Sequence, residues 1–146
     1  MSDAPRLSGG CLCGAVRFSA APKRHDYGVC HCSMCRRWSA GPFMVIECED
    51  TVAFDQDADL GVYRSSEWAE RGFCKACGTP LFYRLRDQNQ YFVSTEAFDD
   101  SADFTFVSEI FYEEKPAHYA FANDTVKQTG DEVIAALKDV QAGGEA

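Results

Sequence analysis

The chain has no long apolar stretch and no excess of positive charge, and each absence excludes a class of protein. No run of apolar residues approaches the roughly 20 needed for a membrane-spanning helix. Lysine and arginine total 14 against 23 aspartates and glutamates, a net charge of −9, which argues against a general nucleic-acid binder because attraction to phosphate needs a basic surface. The opening residues MSDAPRLSGG lack the basic and then apolar pattern of a secretory signal, so we expect the protein in the cytoplasm.

The pattern of short apolar runs predicts one domain of mainly β structure with long loops. A chain of 146 residues buries about 70% of its unfolded surface, so no metal is needed to rescue a small core. We find no repeat or linker, and we predict a single domain over residues 1–146. Runs rich in Val, Phe, Tyr and Thr alternate with Gly, Pro, Asp and Asn, as is typical of short strands. The predicted strands are 13–20, 43–49, 61–66, 79–85, 90–95 and 104–112.

A short amphipathic helix is predicted near the end of the chain, over residues 131–140. Asp131 and Glu132 open it, where the positive end of the helix dipole favours acidic groups. We also expect a turn of helix within 30–38. The apolar positions at helical spacing are Val133, Ile134, Leu137 and Val140.

The chain has eight cysteines and only three histidines, and the cysteines are clustered. In a reducing compartment, clustered cysteines bind metal or react more often than they form disulfides. The groups are Cys11 and Cys13 in GGCLCG, Cys30, Cys32 and Cys35 in CHCSMC, the isolated Cys48, and Cys74 and Cys77 in FCKACGTP.

The first and last cysteine pairs together predict a closed zinc site. In Cys-x-x-Cys-Gly the chain wraps a metal, and Gly78 permits the left-handed turn that follows Cys77. Cys11 and Cys13, two residues apart in an extended segment, point to the same side. Soft thiolates without carboxylates favour zinc, and such a site contributes on the order of 10 kcal/mol to folding. A redox pair is the rival interpretation of Cys-x-x-Cys, but no βαβ pattern surrounds it.

The three cysteines of CHCSMC are then left as a group of their own. Three protein ligands with a fourth position for water or substrate are typical of catalytic zinc. Alternatives stay open: Cys48 or His31 as a fourth ligand would close the site. A zinc ribbon would instead pair Cys32 and Cys35 with Cys74 and Cys77, leaving Cys11, Cys13 and Cys30 over.

Positive side chains surround the cysteine groups in the sequence, although the whole chain is acidic. Two interpretations follow, a mixed solvated surface or a positive rim suited to an anionic small molecule. Arg36 and Arg37 are the candidates for holding a substrate carboxylate. The basic residues concerned are Arg17, Lys23, Arg24, Arg36, Arg37, Arg71, Lys75, Arg84 and Arg86.

The segments GGCLCGAVRF, CHCSMCRRWSAGPF and RSSEWAERGFCKACGTPLFYR, and more weakly FVSTEAFDD, resemble the glutathione-dependent formaldehyde-activating family, whose domain also occurs in centromere protein V. The resemblance covers about residues 8–120. It implies a β-tent fold with two zinc ions per chain. By motif position, Cys11, Cys13, Cys74 and Cys77 would hold the structural zinc, and Cys30, Cys32 and Cys35 the catalytic zinc.

The resemblance further implies a carbon–sulfur lyase that acts on a small thiol–carbonyl adduct such as S-hydroxymethylglutathione, with glutathione or a related thiol as substrate. The alternative is a non-catalytic module in which zinc stabilises a protein- or ligand-binding surface. The chain departs from the family pattern at EEKPAHYAF, where Ala117 and His118 follow Pro116 in place of a usual aromatic residue. The substrate, the oligomeric state and the roles of Cys48 and His118 do not follow from the sequence.

Overall fold

The computed structural model describes residues 4–144, with side chains up to residue 137. In chain order it contains β1 (Leu7–Gly10), β2 (Arg17–Ala20), β3 (Asp26–Cys30), α1 (Ser33–Ser39), β4 (Phe43–Glu49), β5 (Ala53–Gln56), β6 (Leu60–Tyr63), β7 (Ala69–Cys74), β8 (Pro80–Leu85), β9 (Gln90–Ser94), β10 (Thr105–Ile110), β11 (Val126–Gln128) and α2 (Gly130–Gly144). Short 3-10 turns lie at Thr95–Ala97 and Tyr112–Glu114. The predicted fold class, mainly β with a short C-terminal helix, is confirmed.

The residues fall into two compact units, and both are discontinuous in sequence. Within the described range, the first unit comprises 4–27 and 44–105, and the second comprises 28–43 and 106–144. The single-domain organisation over 1–146 stays a prediction.

The first unit is built from antiparallel strands around an aromatic core. Strands β1, β2 and β5 are hydrogen-bonded in that order, as are β4, β9, β8, β7 and β6. Phe18 lies at the centre, 2% exposed, with its ring 5.4 Å from that of Phe98 and 6.3 Å from that of Phe54. Cys11, Cys48 and Cys74 are part of this apolar cluster. One cysteine of the first pair, Cys11, and one of the last pair, Cys74, therefore pack within the apolar core.

The second unit carries the CHCSMC segment between a strand and a short helix. Strands β11, β10 and β3 are hydrogen-bonded in that order, and β10 and β11 run parallel. Gly28 lets β3 approach β10 closely, because a Cβ at this position would lie 2.2 Å from Ser108 Oγ. Helix α2 begins with reciprocal bonds in which the Thr129 N–H donates to Glu132 and the Glu132 N–H donates to the Thr129 hydroxyl.

Several predicted bounds need correction. The strand predicted over 13–20 begins only at Arg17, because Gly14, at φ +83°, turns the chain and the Cys11 N–H bonds to the Val16 carbonyl. Helix α2 continues to Gly144, past the predicted end at 140. Ile134 is 44% exposed, so the predicted apolar face is not wholly buried, and the side chain of Val140 lies outside the described ones. Within residues 4–144, none of the helices has the length and apolarity to cross a membrane.

Candidate metal centres

Cys11, Cys13, Cys74 and Cys77 form a four-cysteine group in the first unit, with all four sulphurs within 4.8 Å of one another. The Sγ of Cys13 lies 3.6 Å from that of Cys11 and 3.8 Å from that of Cys74. A zinc ion with bonds of about 2.3 Å to four sulphurs at tetrahedral angles sets its ligands about 3.8 Å apart. The spacing therefore fits a metal ion of this size without rearrangement.

Backbone amides point at the inner sulphurs of this group. The Val16 N–H donates to Cys11 Sγ at 3.2 Å, and the Cys77 N–H donates to Cys74 Sγ at 3.4 Å. Burial raises the pKa of Cys11, but hydrogen bonds from Val16 and Cys74 outweigh it and lower the pKa overall. A hydrogen bond from the Thr79 hydroxyl lowers the pKa of Cys77 to about 5. The surroundings of Cys11 and Cys77 thus favour their thiolates, the form that binds metal, whereas hydrogen bonding to Cys11 and Cys77 raises the pKa of Cys13 to about 12.

A left-handed turn follows each cysteine pair of the group. Gly14 has φ +83° and Gly78 has φ +82°, so the prediction for Gly78 is confirmed. The Gly78 N–H bonds to the Cys74 carbonyl at 2.8 Å, which closes the turn around the sulphurs.

Gly78→Ala is expected to destabilise the folded, metal-bound protein by about 1–2 kcal/mol, the cost of a left-handed alanine. A Cβ at Gly78 would meet nothing within 4 Å, so the change isolates backbone strain from crowding. Denaturant unfolding of the metal-loaded protein measures it, with the exposed Lys75→Ala on the same turn as control. Equal stability of the two variants would contradict the assigned strain.

Cys30, Cys32 and Cys35 form a three-cysteine group in the second unit, with sulphurs within 4.8 Å of one another. Cys30 ends β3, Cys32 caps the N-terminus of α1, and Cys35 lies inside that helix. The Cys32 sulphur accepts the Cys35 N–H at 3.3 Å. Cys30 and Cys35 are buried, whereas Cys32 is half-buried, so the group is reached through Cys32.

Because these three thiols lie close together, the pKa values of Cys30 and Cys32 shift in opposite directions. Hydrogen bonds from Cys30 and Cys35 lower the pKa of Cys32 to about 2. The hydrogen bonds of Cys30 to Cys32 and Cys35, together with its burial, raise its own pKa. The environment of Cys32 therefore favours its thiolate, the form that binds a metal ion.

No fourth side chain of a ligating type joins the three-cysteine group in the part of the chain that the structure describes. Cys48 lies fully buried in β4, its Sγ donating to the Ile46 carbonyl at 3.6 Å, and burial with the nearby Glu47 and Glu49 raises its pKa to about 12. Both ring nitrogens of His31 are engaged elsewhere, so His31 is not available as a ligand. The ribbon grouping is not the one formed, since Cys74 and Cys77 lie with Cys11 and Cys13.

Most of the predicted positive rim is neutralised by ion pairs. Arg17 pairs with Asp99 at 2.6 Å, and Arg84 pairs with Glu70 at 2.6 Å. Further pairs join Lys23 to Glu49, Arg24 to Asp26 and Arg86 to Glu70. Within the described residues, neither Arg36 nor Arg37 has an acidic partner, and Arg37 is exposed; the Arg36 Nε donates to the His31 carbonyl at 2.8 Å. The five ion pairs agree with the mixed-surface interpretation at those positions, whereas Arg36 and Arg37 lack an acidic partner among the described residues.

The buried partners of His31 are not predictable from the sequence. Its Nε2 lies 2.8 Å from Glu109 Oε1, and its Nδ1 lies 2.7 Å from the Tyr119 hydroxyl. Glu109 is 1% exposed and lies in β10, 78 positions further along the chain. An isolated glutamate in an apolar run carries no local signal of this pairing. His118, by contrast, is exposed, with its ring 5.4 Å from that of Tyr119.

A β scaffold that carries two cysteine groups, each able to hold a metal ion, defines the class of protein. A family model described as "Glutathione-dependent formaldehyde-activating enzyme" matches residues 6–114, and the chain belongs to this family. The resemblance seen in the cysteine motifs is thereby confirmed.

The proteins similar to the chain include the following two, and a solved structure is similar in fold. A Schizosaccharomyces pombe protein described as "Uncharacterized lyase" is 36% identical over 134 residues, which cover 91% of this chain and 98% of that protein. A Halomonas elongata protein described as "Putative glutathione-dependent formaldehyde-activating enzyme" is 31% identical over 85 residues, 52% of this chain and 54% of that protein. The crystal structure of a Rhodobacter sphaeroides protein superposes with a TM-score of 0.57 at 22% identity, covering 69% of this chain and all of that one, and supports the fold alone.

Proposed function

We propose that the protein is a zinc-dependent carbon–sulfur lyase-like enzyme of the cytoplasm. It acts on a small thiol–carbonyl adduct such as S-hydroxymethylglutathione. Cys11, Cys13, Cys74 and Cys77 hold a structural zinc, and Cys30, Cys32 and Cys35 hold a catalytic one. The observation that carries the proposal is the three-cysteine group. It has three sulphur ligands, and no fourth ligating side chain from the described residues joins them. The family membership and the relative described as a lyase support the reaction class.

The donor set of the three-cysteine group fits zinc. Three soft sulphurs within 4.8 Å of one another match the distances between zinc ligands. When bound, zinc with three protein ligands supplies Lewis acidity at its fourth position and lowers the pKa of a thiol or polarises a carbonyl there. The reaction joins the thiol sulphur to the aldehyde carbon, while the carbonyl oxygen receives the thiol proton. The reverse reaction breaks the same carbon–sulfur bond.

The residues around the group determine where an anionic thiol binds. Arg36 is oriented by its Nε–H bond to the His31 carbonyl, which leaves its terminal nitrogens for a carboxylate. Arg37 adds an exposed charge one residue further along α1. Cys32, the half-buried member of the group, faces the approach of substrate, whereas the buried Cys30 and Cys35 form its floor. A thiol that carries carboxylates, as glutathione does, is the substrate class that these charges favour.

The proposal is tested by counting metal and measuring turnover on the same sample. We expect two zinc ions per chain, of which a mild chelator removes one. NMR measures the exchange between the free pair, glutathione and formaldehyde, and their adduct. This exchange should slow to the uncatalysed rate as that zinc ion is lost. 2-Mercaptoethanol, which has no carboxylate, is expected to react with a higher KM than glutathione.

Two equally inert zinc ions and no acceleration of exchange would contradict the enzyme. They would instead support the non-catalytic module, in which both ions only stabilise a binding surface.

A further inference from the structure

His31 lies between two cysteines of the three-cysteine group, and all of its polar groups are hydrogen-bonded. Its backbone N–H donates to the Ile110 carbonyl at 3.1 Å, and its carbonyl accepts from Arg36 Nε at 2.8 Å. Its ring nitrogens lie 2.7 Å from the Tyr119 hydroxyl and 2.8 Å from Glu109 Oε1. The side chain is 0% exposed. Four different chain positions therefore hold this one residue in place.

Glu109 is a buried carboxylate whose environment keeps it charged. Burial alone raises its pKa, but hydrogen bonds from Thr125 and His31 and the charge of Lys127 outweigh burial and hold the pKa below its ordinary range. The Thr125 hydroxyl donates to Oε2 at 2.5 Å, and Lys127 Nζ lies 3.8 Å from the same oxygen. Because a carboxylate only accepts, the His31 Nε2 must carry the hydrogen that Glu109 receives.

The second bond holds the other ring nitrogen. The His31 Nδ1 lies 2.7 Å from the Tyr119 hydroxyl, which donates to this nitrogen when the ring is neutral and accepts from it when the ring is charged. In either case the hydrogen bonds run from Tyr119 through His31 to Glu109. The ring has a single orientation in which both bonds form.

The orientation of His31 determines where the neighbouring sulphurs lie. Along an extended chain, alternate residues point to opposite sides, so a fixed His31 ring sends the side chains of Cys30 and Cys32 together to the other face. Arg36 ties the carbonyl of the same residue to α1, the helix that carries Cys35. Groups hydrogen-bonded to the ligands of a metal orient those ligands, and their loss weakens metal binding about 10–100-fold. Glu109 and Tyr119 act one step further out, through the residue between two ligands, so we expect an effect at the lower end of that range.

We propose that Glu109 and Tyr119 are positioning residues for the three-cysteine group: they hold the His31 ring from both nitrogens and so keep Cys30 and Cys32 at the spacing that a metal ion requires. The inference rests on the proposed function in that it needs a metal at this group, but it does not depend on the substrate. Neither residue is a member of the three-cysteine group itself.

The test loads the full-length protein with Co²⁺, whose visible absorption reports the geometry of thiolate sites, and measures the affinity of both groups by competition with a chelator. The spectrum of Cys32→Ser gives the four-cysteine contribution alone, and subtracting it isolates the three-cysteine contribution. Tyr119→Phe is expected to weaken Co²⁺ at the three-cysteine group about tenfold and to shift its bands. The four-cysteine group, in the same molecule, is expected to keep both its affinity and its spectrum.

Tyr112→Phe is the matched control. The Tyr112 ring also packs edge-on against His31, at 5.9 Å, but the structure shows no hydrogen bond from its hydroxyl within the described residues. Because Tyr112→Phe keeps the ring and the His31 bonds, Co²⁺ affinity should stay at the wild-type value.

Glu109 is tested with two variants. Glu109→Leu removes the acceptor of the His31 bond and should weaken Co²⁺ binding at the three-cysteine group. Glu109→Gln retains an oxygen for His31 and should keep most of the wild-type affinity.

Three outcomes would overturn the inference: unchanged Co²⁺ binding in Tyr119→Phe, an equal loss in Tyr112→Phe, or an equal loss at both cysteine groups. A wild-type protein that binds a single Co²⁺ would overturn the proposed function and the inference with it. A wild type with two ions and an unaltered Tyr119→Phe would overturn the inference alone.

Discussion

Cys74→Ser is expected to unfold the first unit and to release its metal. Cys74 is 0% exposed at the end of β7, and its sulphur lies 3.8 Å from that of Cys13. A serine oxygen there is a poor ligand left in an apolar core. The loss is on the order of 10 kcal/mol, which equals or exceeds the whole stability of a typical domain. Circular dichroism and metal analysis of the purified variant measure both effects.

Cys48→Ser is the control for that result, because Cys48 is equally buried in the same core but belongs to neither cysteine group. It should cost only about 1–3 kcal/mol, the cost of burying a hydroxyl, and it should keep both metal ions. A folded Cys74→Ser with two ions, or a Cys48→Ser that loses one, would contradict the assignment of the structural site.

Cys32→Ser is expected to abolish turnover and to release one metal ion while the protein stays folded. Cys32 is half-buried at the start of α1, so its replacement removes a ligand without opening the core. The stability of the protein should fall by no more than about 1–3 kcal/mol. Zinc analysis, an unfolding curve and the glutathione–formaldehyde exchange rate, measured together, separate loss of the ion from loss of the fold.

Met34→Ala, two residues further along in the first turn of α1 and 47% exposed, serves as its control and should retain both ions and the full rate. An active Cys32→Ser, or one that unfolds as Cys74→Ser does, would mean that the two cysteine groups have been given the wrong roles.

The sequence predicted the elements whose signal is local. FMVIECE, dense in apolar and branched residues, is a strand at the predicted bounds, and the Cys-x-Cys and Cys-x-x-Cys spacings led to the two groups that the structure brings together. The strands that were missed break the pattern with small or charged residues: β3 contains Asp26 and Gly28, and β7 contains Arg71 and Gly72. In these strands, pairing with neighbours decides the structure over propensity.

The contacts of His31 were beyond prediction for another reason. They depend on which residues of β10 and of the segment after it meet the CHCSMC segment in three dimensions, and no spacing along the chain encodes that. The ion pairs that neutralise the positive rim, such as Arg17 with Asp99, 82 positions apart, escaped prediction in the same way.

The two cysteine groups differ in the sequence separation of their members, and this separation affects the order in which the groups form during folding. The three-cysteine group lies within six consecutive residues, so its loop-closure entropy is small and its thiols are neighbours as soon as that segment is made. The four-cysteine group joins Cys13 to Cys74 across 61 positions. During synthesis its first pair must wait for the second to leave the ribosome. The four-cysteine group is thus completed late, whereas the three cysteines that we propose as the catalytic group come together first.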